Sequence, residues 1–188
     1  MSTHDNSFPQ YMKIFHGGLA IFGITAFLTA EMAENGSDSL GYYLHAALGF
    51  SVTIFVMARI IAGISGSGHA RFSGWSPFSP RQWRRAGQDV RSLIRLRVPE
   101  RGAHQGLSGL IQAFGIALFA CMGISGTGLF LLKGSPDASM FHTLEEIHEA
   151  GEGLIPLYLL LHVGSVVVHS VAGKPIWQRM WKLSESID

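Results

Sequence analysis

The sequence predicts an all-α integral membrane protein, a four-helix bundle that crosses a bilayer four times with both termini cytoplasmic. Three observations carry this reading. The chain is 47% hydrophobic and only 14% charged, whereas a soluble domain carries about 25% charged residues. Four separate segments are long and apolar enough to cross a hydrocarbon core, which takes about 20 residues at a rise of roughly 1.5 Å each. The 23 glycines lie within these apolar segments rather than in linkers, as suits close helix packing in lipid. The single cysteine, Cys121, excludes an intrachain disulfide, a zinc–thiolate cluster and a CxxC redox motif.

The expected spans are approximately 14–32, 41–64, 107–132 and 144–172. Residues AEMA follow the first apolar run, but their small residues lack the A-x-A spacing of a cleavage site and one lysine precedes the run, so it reads as a retained anchor. Basic residues sort between the connections. The loop 65–106 holds Arg71, Arg81, Arg84, Arg85, Arg91, Arg95, Arg97 and Arg101, and the tail adds Lys174, Arg179 and Lys182. The connection around Glu34, Asn35 and Asp38 has no lysine or arginine, and that between spans three and four has Lys133 beside Asp137. The positive-inside rule then places the loop and both termini in the cytoplasm. No internal repeat or low-complexity tract appears, so residues 1–188 form one membrane domain.

Within the long loop, Ser79-Pro80-Arg81-Gln82 has the form of a capping box with proline at the first helical position. Trp83, Ala86, Val90, Leu93 and Ile94 recur at helical spacing, while the arginines take other faces. The segment reads as an amphipathic helix in the membrane interface, with its arginines near anionic lipid, the alternative being an Arg-rich solvated loop helix that merely fixes topology. The same arginines also satisfy the topology rule, so they give no support to nucleic-acid binding.

Nine histidines are the unusual feature, since an ionisable side chain at membrane depth is costly and marks function. His16 lies near the cytoplasmic start of span one. His45 lies near the outer start of span two. Span four runs inward and carries His148, then His162, then His169. His148 and His162 are 14 residues apart, close to four turns, so they share a face and stand roughly 21 Å apart along the axis. Depth therefore pairs His162 with His16 at the inner level and His148 with His45 at the outer level. Two facing imidazoles in an apolar bundle suit axial ligation of haem iron. Zinc, copper and non-haem iron also accept imidazole, but such sites usually recruit further side chains. Glu145 and His148 form only one Glu-x-x-His half-motif, and a di-iron carboxylate bundle needs two.

Gly17 and Gly18 beside His16, Gly49 after His45, and Gly151 and Gly164 on span four would let a flat macrocycle approach the helix backbones. His169 shares the face of His162 and is the rival ligand for the inner level. Arg59 and Lys133 are candidate contacts for haem propionates. His104 and His169, with Arg59, are candidates to line a cytoplasmic-side quinone pocket. His4 and His69 read as solvated, His142 as interfacial, and Cys121 as a small apolar residue.

These residues resemble the prokaryotic cytochrome b561 family, four-helix di-haem b-type cytochromes related to the cytochrome b subunits of nickel-iron hydrogenases. Lys13-Ile-Phe-His16 is similar to the family's entry to the first helix, and His45-Ala-Ala-Leu-Gly49 followed by Arg59 to its second-helix ligand segment. GSGHARFSGW and AHQG resemble a loop and third-helix entry of the hydrogenase-like branch, and IHEAGEGLIPLYLLLHVGSVVVHS resembles the fourth helix. The chain departs from many relatives at Gly17, where they have tryptophan, and at Gln105-Gly106, where they have Asn-Pro. The resemblance implies two haem b groups, held by His16 with His162 and by His45 with His148. It also implies a multi-pass protein of the bacterial inner membrane that exchanges electrons between the quinone pool and a redox partner such as a c-type cytochrome, a hydrogenase or another redox subunit. The alternatives are a stand-alone superoxide or quinol oxidoreductase and, in a different class, a histidine-lined proton or metal transporter.

Overall fold

The computed structural model describes residues 8–66, 71–75, 77–99, 101, 104–134 and 138–181. Among these the secondary structure is helical throughout: α1 (Gln10–Leu28), α2 (Ala30–Ala33), α3 (Leu40–Ser65), α4 (Pro80–Ile94), α5 (Leu107–Leu131), α6 (Ala138–Val171) and α7 (Gln178–Trp181), with a 3₁₀ turn at Phe72–Gly74. Four of them, α1, α3, α5 and α6, are long and apolar enough to span a membrane. Each packs on the next in the chain, α1 on α3, α3 on α5 and α5 on α6, which gives an up-down-up-down bundle. Phe8 N–H donates to Arg179 O at 3.1 Å, so the two ends of the described chain meet at one end of the bundle, called proximal below.

The first span begins and ends about one turn earlier than the apolar run suggested. Thr25 and Thr29 turn their hydroxyls back onto the carbonyls of Ile21 and Thr25 at 2.7 and 2.9 Å, a local bond that competes with the helix. The chain breaks at Thr29 and resumes as the short α2. Gly41 is obligatory at the following contact, because a Cβ there would sit 2.2 Å from Met32 O. Ser39 caps α3 by accepting from Tyr42 N–H at 3.1 Å.

The fourth span starts six residues before its expected limit. With 34 residues, α6 is about 51 Å long at 1.5 Å per residue and overshoots a hydrocarbon core of about 30 Å. On its polar first turns His142 lies beside Glu145 and Glu146 on one face, 3.5 Å from each carboxylate. Its end is a Schellman turn: Lys174 N–H donates to His169 O and Gly173 N–H to Ser170 O, at 2.8 and 3.0 Å, with Gly173 at φ 75°.

The capping box at the start of α4 does not form. Ser79 makes no side-chain cap; Gln82 instead turns inward and donates through Nε2 to the carbonyls of His104 and Gly106 at 3.0 and 3.1 Å. The expected apolar face also divides. Ala86 is buried together with the polar Gln82 and Asp89, while Trp83, Val90 and Ile94 are exposed. Tertiary bonding outcompetes the local cap because the carbonyls preceding α5 need donors where water is excluded. Asp89 does the complementary work, accepting Leu107 N–H at the start of α5 at 2.9 Å and Arg101 Nε–H at 2.5 Å.

Candidate functional site

Antiparallel α1 and α6 bring the rings of His16 and His162 together at the proximal level, with centroids 6.1 Å apart. At the distal level α3 and α6 do the same for His45 and His148, with centroids 6.2 Å apart. A metal–imidazole bond of about 2 Å and a ring nitrogen about 1.1 Å from its centroid put two in-line ligands of one ion about 6 Å apart, centroid to centroid. Both pairs therefore have the span of a bis-imidazole site.

The surroundings also suit a flat group. Among the described residues no backbone packing comparable to that of α6 on α5 joins α6 to α1 or α3, although the histidines face each other across that gap. Only Gly151 and Ile155 of α6 are buried. A cavity of about 670 Å³ opens along the proximal pair, lined by His16, His162, Tyr158, Val56 and Ile116 among others. That falls within the range of about 300–1,000 Å³ usual for cofactor pockets. The glycines separate into two kinds. A Cβ at Gly17, Gly49 or Gly164 would meet nothing within 4 Å, whereas one at Gly18 would strike the Phe55 ring at 2.5 Å and one at Gly151 the Met122 sulfur at 2.4 Å. The first three leave space, and the other two serve helix packing.

Each distal ring is oriented through its Nδ1. In His45 this atom lies 3.0 Å from Ala26 O. In His148 it lies 3.0 Å from Ser125 Oγ, whose own hydroxyl donates to Cys121 O at 2.8 Å. Such contacts at Nδ1 leave Nε2 as the nitrogen available to a metal, as outer-shell bonds do for metal-bound histidine. At the proximal pair the orienting contacts are aromatic: Tyr158 stacks on His162 at 5.4 Å and Trp181 meets His16 edge-on at 6.0 Å.

The remaining candidates fall into place around the two levels. His169 lines the proximal cavity, but its Nδ1 lies 2.7 Å from Ser165 O and the ring that faces His16 is that of His162. Arg59 is buried at 3% exposure and lines the same cavity, its guanidinium over the rings of Phe72 and Trp75 at 5.1 and 5.7 Å. His104 is buried, stacked on Trp75 at 5.0 Å, edge-on to Phe8, and joined through Nδ1 to Gln112 Oε1. It adopts φ 60°, in the left-handed region. Lys133 ties the two distal connections together, donating to Ser37 O, Asp38 Oδ1 and Tyr43 Oη at 2.5, 2.7 and 3.2 Å. Its hydrogen bond to Asp38, then that to Tyr43, holds its pKa above the ordinary lysine value. Among the described residues no group of three or more His, Cys, Asp or Glu side chains is placed to hold a metal ion. His4, His69, Asp137 and Lys182 lie outside the described residues.

Sequence reasoning missed Ser125, Gly126, Tyr158 and Gln112. A serine followed by glycine at the His148 depth of an otherwise apolar span was the signal for the first two. A Cβ on Gly126 would lie 3.0 Å from His148 Cε1, so that glycine fits the ring. Tyr158 precedes His162 by one turn, a spacing that could have been read as a ring stack.

An all-helical membrane bundle with imidazoles paired across its interior defines a class: integral membrane proteins that carry electrons on non-covalently held haem. Residues 7–182 match the family model described as prokaryotic cytochrome b561, and the chain belongs to that family. It is accordingly a haem b-binding, multi-pass membrane protein of electron transport. Neither the curated proteins nor the solved structures contain a match to the chain.

Proposed function

We propose that the chain carries electrons across the bacterial inner membrane on two haem b groups, exchanging them between the quinone pool and a redox partner. The observation that carries this reading is the pair of imidazole couples, each about 6 Å between centroids, placed where α6 packs little on α1 and α3, with a cavity along the proximal one. His16 and His162 would hold one haem, and His45 and His148 the other. Haem supplies a one-electron iron couple whose potential depends on ligands and surroundings. The chain's own contribution is position: α6 sets the two levels roughly 21 Å apart along its axis, and Ala26 O and Ser125 Oγ fix the distal rings.

Orientation follows from charge. The arginines of α4 and the flanking loop share the proximal end with both termini, so the positive-inside rule assigns that end to the cytoplasm. The quinone site we assign to the cytoplasmic end of the proximal cavity, beyond the histidine pair that would hold haem, where Arg59, His104 and His169 add polar groups to an apolar lining. The distal end carries Glu31, Glu34, Asp38, Glu145, Glu146 and Glu149 against Lys133. This excess of negative charge repels anions and disfavours superoxide as the substrate there, while it suits a cationic redox protein. The partner would be a c-type cytochrome or a redox subunit of a larger complex. A site for a transported transition metal usually recruits further side chains beyond two imidazoles, and among the described residues no third His, Cys, Asp or Glu joins either couple.

Stopped-flow mixing of the oxidised protein with a soluble quinol analogue tests the quinone assignment. Haem reduction fast enough to support turnover is expected. Reduction too slow for turnover across several quinols would instead make the chain a carrier between two protein partners.

A further inference from the structure

Helix α4 has three faces rather than two. Taking about 100° per residue, Gln82, Ala86 and Asp89 cluster within about 60° and form the buried side, packed on α5. Trp83, Val90 and Ile94 form a second stripe about 90° further round the helix, and they are exposed at 61%, 44% and 78%. Arg84 and Arg91 border that stripe on its far side and are exposed. A helix standing free in water needs no apolar stripe beside its packed face. A helix lying flat at the end of a membrane bundle needs this order of faces: one side on the protein, the next toward acyl chains, and arginines at phosphate height between lipid and water.

Helix α4 is fixed to the very start of α5, one of the four helices long and apolar enough to span a membrane. Gln82 binds the carbonyls of His104 and Gly106, and Asp89 binds Leu107 N–H and Arg101. Asp89 and Leu93 also line the cavity that holds the proximal histidine pair. Anything that anchors α4 therefore steadies one wall of that cavity.

We propose that α4 is an in-plane membrane helix with a binding site for anionic phospholipid headgroups at Arg84 and Arg91, and that lipid held there stabilises the wall of the proximal cavity. The occupant is the leaflet in which the proximal end of the bundle lies. The charge complementarity is that of two guanidiniums with phosphate oxygens.

Two measurements on the haem-loaded full chain in nanodiscs test it, the first in a Cys121→Ala background. Nitroxides placed singly at positions 83, 90 and 94 should collide preferentially with oxygen, and those at 84 and 91 with a water-soluble nickel complex. Spin-labelled phosphatidylglycerol should associate with the protein in preference to phosphatidylcholine. That preference should fall by roughly fivefold per arginine at the site in the Arg84→Gln/Arg91→Gln variant, with a matching loss of the difference in proximal haem retention between phosphatidylglycerol and pure phosphatidylcholine discs. Nickel-accessible labels at 83, 90 and 94 would overturn the proposal in favour of a solvated loop helix. Labels shielded from both reagents would overturn it in favour of a protein partner or a second copy of the chain. An unchanged lipid preference in the double variant would remove the headgroup site.

Discussion

His162 and His169 lie two turns apart on one face of α6, and the sequence alone could not choose between them. Geometry separates them: the His162 ring sits 6.1 Å from His16 and under the Tyr158 stack, whereas His169 Nδ1 engages the carbonyl one turn back. Replacing His162 with Ala should remove the proximal haem and leave the distal one, lowering haem from about two to about one per chain, since the levels are roughly 21 Å apart. His148→Ala should do the reverse, and His169→Ala should keep both. Spectra of the three purified variants check this, and loss of the proximal haem in the His169 variant alone would overturn the assignment. Gly126→Ala is a finer probe. Its Cβ would press on His148 Cε1 from 3.0 Å, so it should lower distal haem occupancy or shift its spectrum while the proximal haem is untouched. A spectrum identical to wild type would show that Gly126 does not shape the distal level.

At the scale of elements, the four spans were legible because hydropathy and length are properties of a segment by itself. Their ends were less legible. The stop at Thr29 depends on hydroxyls bonding backward, and the early start of α6 on a polar extension that no hydropathy window favours. The buried side of α4 was hidden for a related reason: Gln82 reads as a local cap, and Asp89 gives no signal, until the backbone groups before α5 are brought against them. Asp89→Ala would strip Leu107 N–H and Arg101 of their acceptor in a buried position, at a cost of about 2 kcal/mol. Denaturant unfolding in detergent should register that loss. A variant as stable as wild type would mean that α4 is not clamped to α5 by this carboxylate.

Across the whole molecule, the pairing of the histidine rings at two levels could be read from the sequence because depth in a bilayer is simple arithmetic along antiparallel helices. The gap between α6 and the α1–α3 pair could not, since it depends on packing that the chain does not make with itself. A 34-residue helix with two buried positions is completed by what it binds. Haem held at two levels of one of its faces should therefore contribute to the stability of the folded bundle by mass action, and chemical extraction of haem should lower the midpoint of thermal unfolding followed by circular dichroism. No change on extraction would mean that the gap closes without the cofactor. Whether four histidines at two depths make two bis-histidine haem sites is decided by pyridine haemochrome quantification of haem b against protein in the purified chain. Two haem b per chain is the predicted result; one per chain, or a protein that purifies free of haem from haem-replete cells, would contradict it.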